Sequence, residues 1–158
     1  MTGKRKYNII KFLENLYLAI LWFQFFAGLT AVFLIKDKFA GLQIAGENEI
    51  KVFIMLLNLA FIFTVKSIER RSKDRINSEK DLNEKLREYK SSRIGLIAIF
   101  LIINLANLSA FLIEQKNIYL IIFTVILILF FAYKPGIKAF INSFNLSLEE
   151  KKFLESNY

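Results

Sequence analysis

Four runs of nearly uninterrupted apolar residues, at about 12–35, 52–65, 94–113 and 118–133, constrain this chain more than any other feature. Roughly 18 or more consecutive apolar residues are the mark of a helix that crosses a bilayer. The second and fourth runs are short for a hydrocarbon core of ~30 Å. Lys51 and Lys66 flank the second, and Tyr133 and Lys134 close the fourth, so their polar ends can reach the two interfaces. All four are therefore read as spanning helices. The fold class is all-α, an integral membrane four-helix bundle. The first run is too long for a signal peptide and lacks a small-residue cleavage site.

Loop charge sets the expected orientation. The N-terminal tail, the loop at 66–93 and the tail at 134–158 together hold eighteen Lys and Arg, against four on the other side. Basic residues near span ends stay in the cytoplasm, which predicts both termini inside. With the charge placed there, the net +8 needs anionic lipid headgroups rather than nucleic acid as a partner. The chain has no Cys and no His. It also lacks a Gly-rich phosphate loop, a nucleophile elbow and paired intramembrane carboxylates. The expectation is a non-enzymatic protein with no cofactor and no metal. Its Lys-, Ile-, Asn- and Phe-rich composition points to an AT-rich bacterial genome, hence to the inner (plasma) membrane.

The connecting segments have helical signals of their own. In the charged loop, Ser78 and Asp81 match a capping box, and Leu82, Leu86 and Tyr89 recur at spacings of four and three. A cytoplasmic helical hairpin follows: span two continues past the membrane edge, turns near Asn77, and a short amphipathic helix leads into span three. Lys134-Pro135-Gly136 should stop the fourth helix. Ile137, Phe140, Ile141 and Phe144 then fall at i, i+3, i+4 and i+7, predicting an interfacial helix along the membrane surface. Ser147 and Glu150 match a second capping box, opening a terminal helix. The outer connection, with Asp37, Glu47, Glu49 and two glycines, reads as a flexible connector.

Polar side chains inside the runs are the candidate functional residues. Gln24, Asn58, Asn104 and Thr124 each lie within about a turn of the centre of their span, and Asn107 lies one turn from Asn104. An amide in hydrocarbon is costly without a partner, so this intramembrane polar layer should point inward. Matching depth predicts that Asn58 and Asn104 face each other, with Asn107 reaching span one or a second copy. Phe100, Asn104, Asn107 and Phe111 form one seam on span three. Gly95, Ala98, Ala106, Ser109 and Ala110 form an opposite face for close packing, as do Gln24, Ala27, Gly28 and Ala31 on span one. The two faces of span three suit a bundle in which that helix is central, or one that pairs with another copy.

Two uses of the layer follow. It is either structural glue in an accessory, assembly or interaction subunit, joined to a homo-oligomer or another membrane protein, or the lining of a small transporter or channel. A membrane immunity protein is a third option. Four short spans with a glutamate in the first superficially resemble the small multidrug-resistance transporters. Glu14 lies roughly 14 Å from the centre of its span, at the interface near Lys11, and the long charged loop departs from that compact plan. No residue is carried over from that family.

Overall fold

A computed structural model describes residues 3–36, 47–79 and 81–156. Among them are six helices: α1 Gly3–Lys36, α2 Glu47–Ser78, α3 Leu82–Glu114, α4 Asn117–Ala132, α5 Ile137–Ser143 and α6 Leu148–Ser156. The centre of the outer connection, residues 37–46, lies outside the described residues. Three helices are individually long and apolar enough to cross a membrane. The 16-residue α4 becomes a fourth only when counted with α5, from which it is bent by 78°. The all-helical architecture is compatible with a membrane bundle, and its long apolar helices suggest membrane association.

Helix α3 is the centre of the bundle and packs against α1, α2 and α4, while α1 also touches α4. The interior is stratified. Near the charged end, Tyr17, Phe61, Phe100 and Phe130 form one apolar core, with the rings of Phe61 and Phe100 edge to face at 5.0 Å. Near the opposite end, Ala31, Ile54, Phe111, Tyr119 and Phe123 form another. Gly28 lets α1 approach α4 between them: a Cβ there would lie 2.8 Å from the Phe123 ring. Outward faces are as apolar as the inside, with Trp22, Phe26 and Phe33 on α1 and Phe53, Met55 and Phe63 on α2 all exposed. Such a surface is tolerable in hydrocarbon and costly in water.

The charged segments are longer helices than apolar content suggests. Helix α3 runs unbroken for 33 residues, ~50 Å at 1.5 Å per residue, against a hydrocarbon core of ~30 Å. The short amphipathic helix expected to lead into span three is thus the first part of α3, with no break between them. Glu, Lys and Arg sustain a helix as well as Leu does, so charge marks the end of an apolar run and not of the helix. The expected Ser78–Asp81 capping box does not form. Ser78 ends α2, with its hydroxyl donating to the Arg75 carbonyl at 2.7 Å, and Asp81 itself is the N-cap position of α3.

A third apolar core lies among these extensions. Ile10 and Leu13 of α1, Ile76 of α2, and Leu82, Leu86 and Tyr89 of α3 enclose Ile137 and Phe140 of α5 and Leu154 of α6. Phe140 has 0% of its surface exposed. Its ring lies 4.9 Å from that of Tyr89 and 5.3 Å from that of Phe144. This corrects the interfacial-helix reading of Ile137, Phe140, Ile141 and Phe144. The periodicity is helical as expected, but Ile137 and Phe140 are buried against protein, with Ile141 and Phe144 half-buried beside them. The reason is that three helices project far enough to offer α5 an apolar surface of their own. Pro135 and Gly136 do end the preceding helix, and they turn the chain back onto these projections.

Candidate functional site

Between the first two cores lies a thin stratum of amides. Asn107 and Asn58 exchange two hydrogen bonds: Asn58 Nδ2 donates to Asn107 Oδ1 at 3.1 Å, and Asn107 Nδ2 donates to Asn58 Oδ1 at 3.0 Å. Each also donates to its own helix, Asn58 to the Ile54 carbonyl at 2.8 Å and Asn107 to that of Ile103 at 2.9 Å. One turn away, Asn104 Nδ2 donates to Gln24 Oε1. Gln24, Asn104 and Asn107 are fully buried, and Asn58 is half-buried at the edge of α2.

The pairing differs from the one depth alone predicts. Asn58 meets Asn107, and Asn104 meets Gln24 of α1. Two positions three residues apart on an α-helix differ in azimuth by about 60°. That angle aims Asn104 at one neighbour of the central helix and Asn107 at another. Direction around the helix, not depth along it, selects the partner. One chain thereby ties α3 to both α1 and α2 with two adjacent asparagines.

Thr124 does not join the stratum. It is exposed, and its hydroxyl donates to the Leu120 carbonyl at 2.8 Å. A threonine has a single donor, which the carbonyl four residues back can satisfy, so it can face outward without cost. Thr30 and Thr64 do the same with Phe26 and Ala60. An amide has more bonding capacity than its own helix can meet. Even the stratum is incompletely paired: Gln24 Nε2 and Asn104 Oδ1 are buried without a hydrogen-bond partner.

The expected small-residue faces fare differently. On α1, Gln24, Gly28 and Ala31 are buried and Ala27 half-buried, so that seam is real. On α3, Ala98 and Ser109 are exposed, and nothing lies within 4 Å of a Cβ built at Gly95. Ala110 alone of that set is buried. Phe100, Asn104, Asn107 and Phe111 are all buried, which places the inward face of α3 on the seam they define. Half-buried Glu14 lies beside Gly136, with Oε1 3.3 Å from a Cβ built there.

A second polar centre at the charged end was not expected from the sequence. Lys85 is 7% exposed and donates to both carboxylate oxygens of Glu150, at 2.9 and 3.0 Å. Glu150 forms the capping box with Ser147: Ser147 N donates to Glu150 Oε2 at 2.7 Å, and Glu150 N donates to Ser147 Oγ at 3.2 Å. Asn145 N donates to Asn77 Oδ1 at 2.9 Å. Burial alone would raise the Glu150 carboxyl, but the bonds from Ser147 and Lys85 hold it below the ordinary glutamate value. The available signal was Lys85 itself, a cation on the apolar face shared by Leu82, Leu86 and Tyr89. A lysine on such a face implies a carboxylate on whatever packs there.

These features define a helical bundle cross-tied by an uncharged amide layer and strapped at one end by its own C-terminal tail. Neither a family model, nor a curated protein, nor a solved structure matches the chain.

Proposed function

We propose that the chain is a non-enzymatic, multi-pass protein of the bacterial inner membrane, acting as an accessory or assembly subunit through its folded charged end. In this reading α1, α2, α3 and α4 each span the bilayer. Both termini, the α2–α3 turn and the α5–α6 tail are cytoplasmic, a placement supported by eighteen basic residues against four. The 16 residues of α4 cover ~24 Å, so Tyr133 and Lys134 complete that span at the interface. The observation that carries the proposal is the use of the polar groups. The Asn58–Asn107 pair spends its bonding capacity on holding helices together, and the tail builds a separate core beyond the apolar zone. That leaves a shaped, charged platform outside the bilayer as the surface for partners.

Purification in mild detergent from the native membrane tests it, and stoichiometric co-purifying membrane proteins are expected. Orientation is tested in intact cells. A cysteine at exposed Asn117 should react with an impermeant reagent, and one at Glu79 should not. The opposite pattern would remove the cytoplasmic platform.

One observation favours a second reading, a small transporter or channel with a polar midplane. Gln24 Nε2 and Asn104 Oδ1 are a donor and an acceptor left over at the same depth, suited to a small hydrogen-bonding solute. Flux into proteoliposomes that Asn104→Leu abolishes, in a protein as stable as wild type, would establish that alternative.

A further inference from the structure

A pocket of about 530 Å³ opens at the charged end between α2, α3 and the end of α5. Clefts that take small ligands run to ~300–1,000 Å³. Lys66, Arg70 and Lys73 line it from α2 at i, i+4 and i+7, and Arg93 faces them from α3. Glu69 is the one acidic residue in the lining, and its Oε2 accepts a hydrogen bond from Tyr133 at 3.3 Å. Four cations against one carboxylate leave an excess of three positive charges in one concavity.

These cations differ from three others at the same end. Arg75, Lys85 and Arg87 each have a carboxylate within 4.0 Å, from Glu88, Glu150 and Glu84. Among the described residues, none of the four pocket cations forms such an ion pair. Arg93 is held instead by the Tyr89 ring, its guanidinium carbon 5.1 Å from the ring centroid. Ser92 and Ser143 add hydroxyl donors, while Leu96 and Phe144 supply apolar walls. Grouped cations repel one another, and a bound anion removes that cost.

The position of the pocket narrows the ligand. Lys66 is the first charge after the apolar run of α2, and Arg93 the last before that of α3. Both therefore sit at the level where hydrocarbon gives way to headgroups. From Lys66 to Lys73 is ~10 Å along the helix, enough to reach across one headgroup layer of ~5–8 Å. Leu96 closes the pocket on the membrane side of Arg93. We infer that this pocket binds the anionic phosphate headgroup of a membrane phospholipid, seated between Arg93 and the Lys66–Arg70–Lys73 row. The inference rests on the membrane reading above and adds to it a specific lipid site.

Native mass spectrometry of the full chain in detergent tests it, with phosphatidylglycerol, phosphatidylcholine or inorganic phosphate added. Wild type should retain phosphatidylglycerol in preference to phosphatidylcholine. Arg70→Gln, Lys73→Gln and Arg93→Gln combined should weaken that binding about tenfold or more. Arg71→Gln, Arg75→Gln and Arg87→Gln combined, which remove the same charge outside the pocket, should leave it nearly unchanged. Arg70→Lys with Arg93→Lys should retain binding, separating loss of charge from loss of fold. Equal weakening by both triple variants would overturn the site in favour of diffuse attraction. Displacement of the lipid by millimolar inorganic phosphate would overturn the lipid source in favour of a soluble anion. Alkaline carbonate extraction decides the membrane reading separately. A chain that stays in the pellet yet shows no preference for phosphatidylglycerol overturns the pocket alone, whereas a chain released by carbonate overturns the reading beneath it.

Discussion

Asn107 makes three hydrogen bonds and Asn104 one, so the two should respond differently to loss of the amide. Asn107→Leu leaves Asn58 with its own-helix bond alone and should cost ~0.6–2 kcal/mol, the range for bonds between membrane helices. Asn104→Leu strands Gln24 in a fully buried position. Adding Gln24→Leu should recover part of that loss, because removing both partners costs less than removing one. A double-mutant cycle read by unfolding in mixed micelles checks this, and strict additivity would contradict it. Gly28→Ala tests the other close contact. Overpacking against the buried Phe123 ring costs ~1–3 kcal/mol. The better helix propensity of alanine returns up to ~1 kcal/mol, so a net loss is expected. At this scale the sequence shows which residues are polar and where along each apolar run they lie. It does not show which way they point: the azimuth that sends Asn104 to α1 depends on where neighbouring helices stand. Thr124 shares the depth of the amides and none of their need for a partner.

The six helices are legible in unequal degree. Apolar runs mark α1 to α4, periodicity marks α5 and a capping box marks α6, because each signal is carried by residues close together in the chain. Two things stay hidden: the continuity of α3 through its charged start, and the partner of the α5 stripe. Both depend on residues far apart in the chain, since the surface that covers Phe140 comes from α1, α2 and α3 together. Phe140→Ala should therefore cost ~3–5 kcal/mol in the third core and expose the tail to protease while the bundle stays folded. Unchanged tail cleavage would contradict the burial of Phe140 in this core. The Glu150 latch adds a dependence on pH. Its carboxyl is held below the unfolded value, so its contribution is present above the ordinary glutamate range, near ~4.3, and is lost as pH falls through the lower, native value. Tail cleavage by an acid-active protease should rise as the pH is taken well below ~4. Glu150→Gln should be cut more readily at neutral pH and lose most of that rise.

Taken whole, the molecule has a central helix flanked by three others, and its cores are stacked along one axis. Two lie within the apolar zone and one beyond it. Under the proposed membrane reading they stand in different solvents, and their cohesion has different origins. Within lipid, separating two helices exposes them to chains as oily as themselves, so close fit and amide bonds hold them together. Around Phe140 and Tyr89, separation would admit water, and the driving force is the release of that water on burial. The two ends of one continuous α3 should then respond unequally to conditions that act on water alone. Urea, or cooling toward the freezing point, weakens the aqueous core and has little hold on the other two. Tail cleavage should increase in moderate urea while the α3–α4 connection at Gln115 stays intact. Under that reading the tail is an anchored, detachable cap, expected to open while the helices beneath it remain assembled.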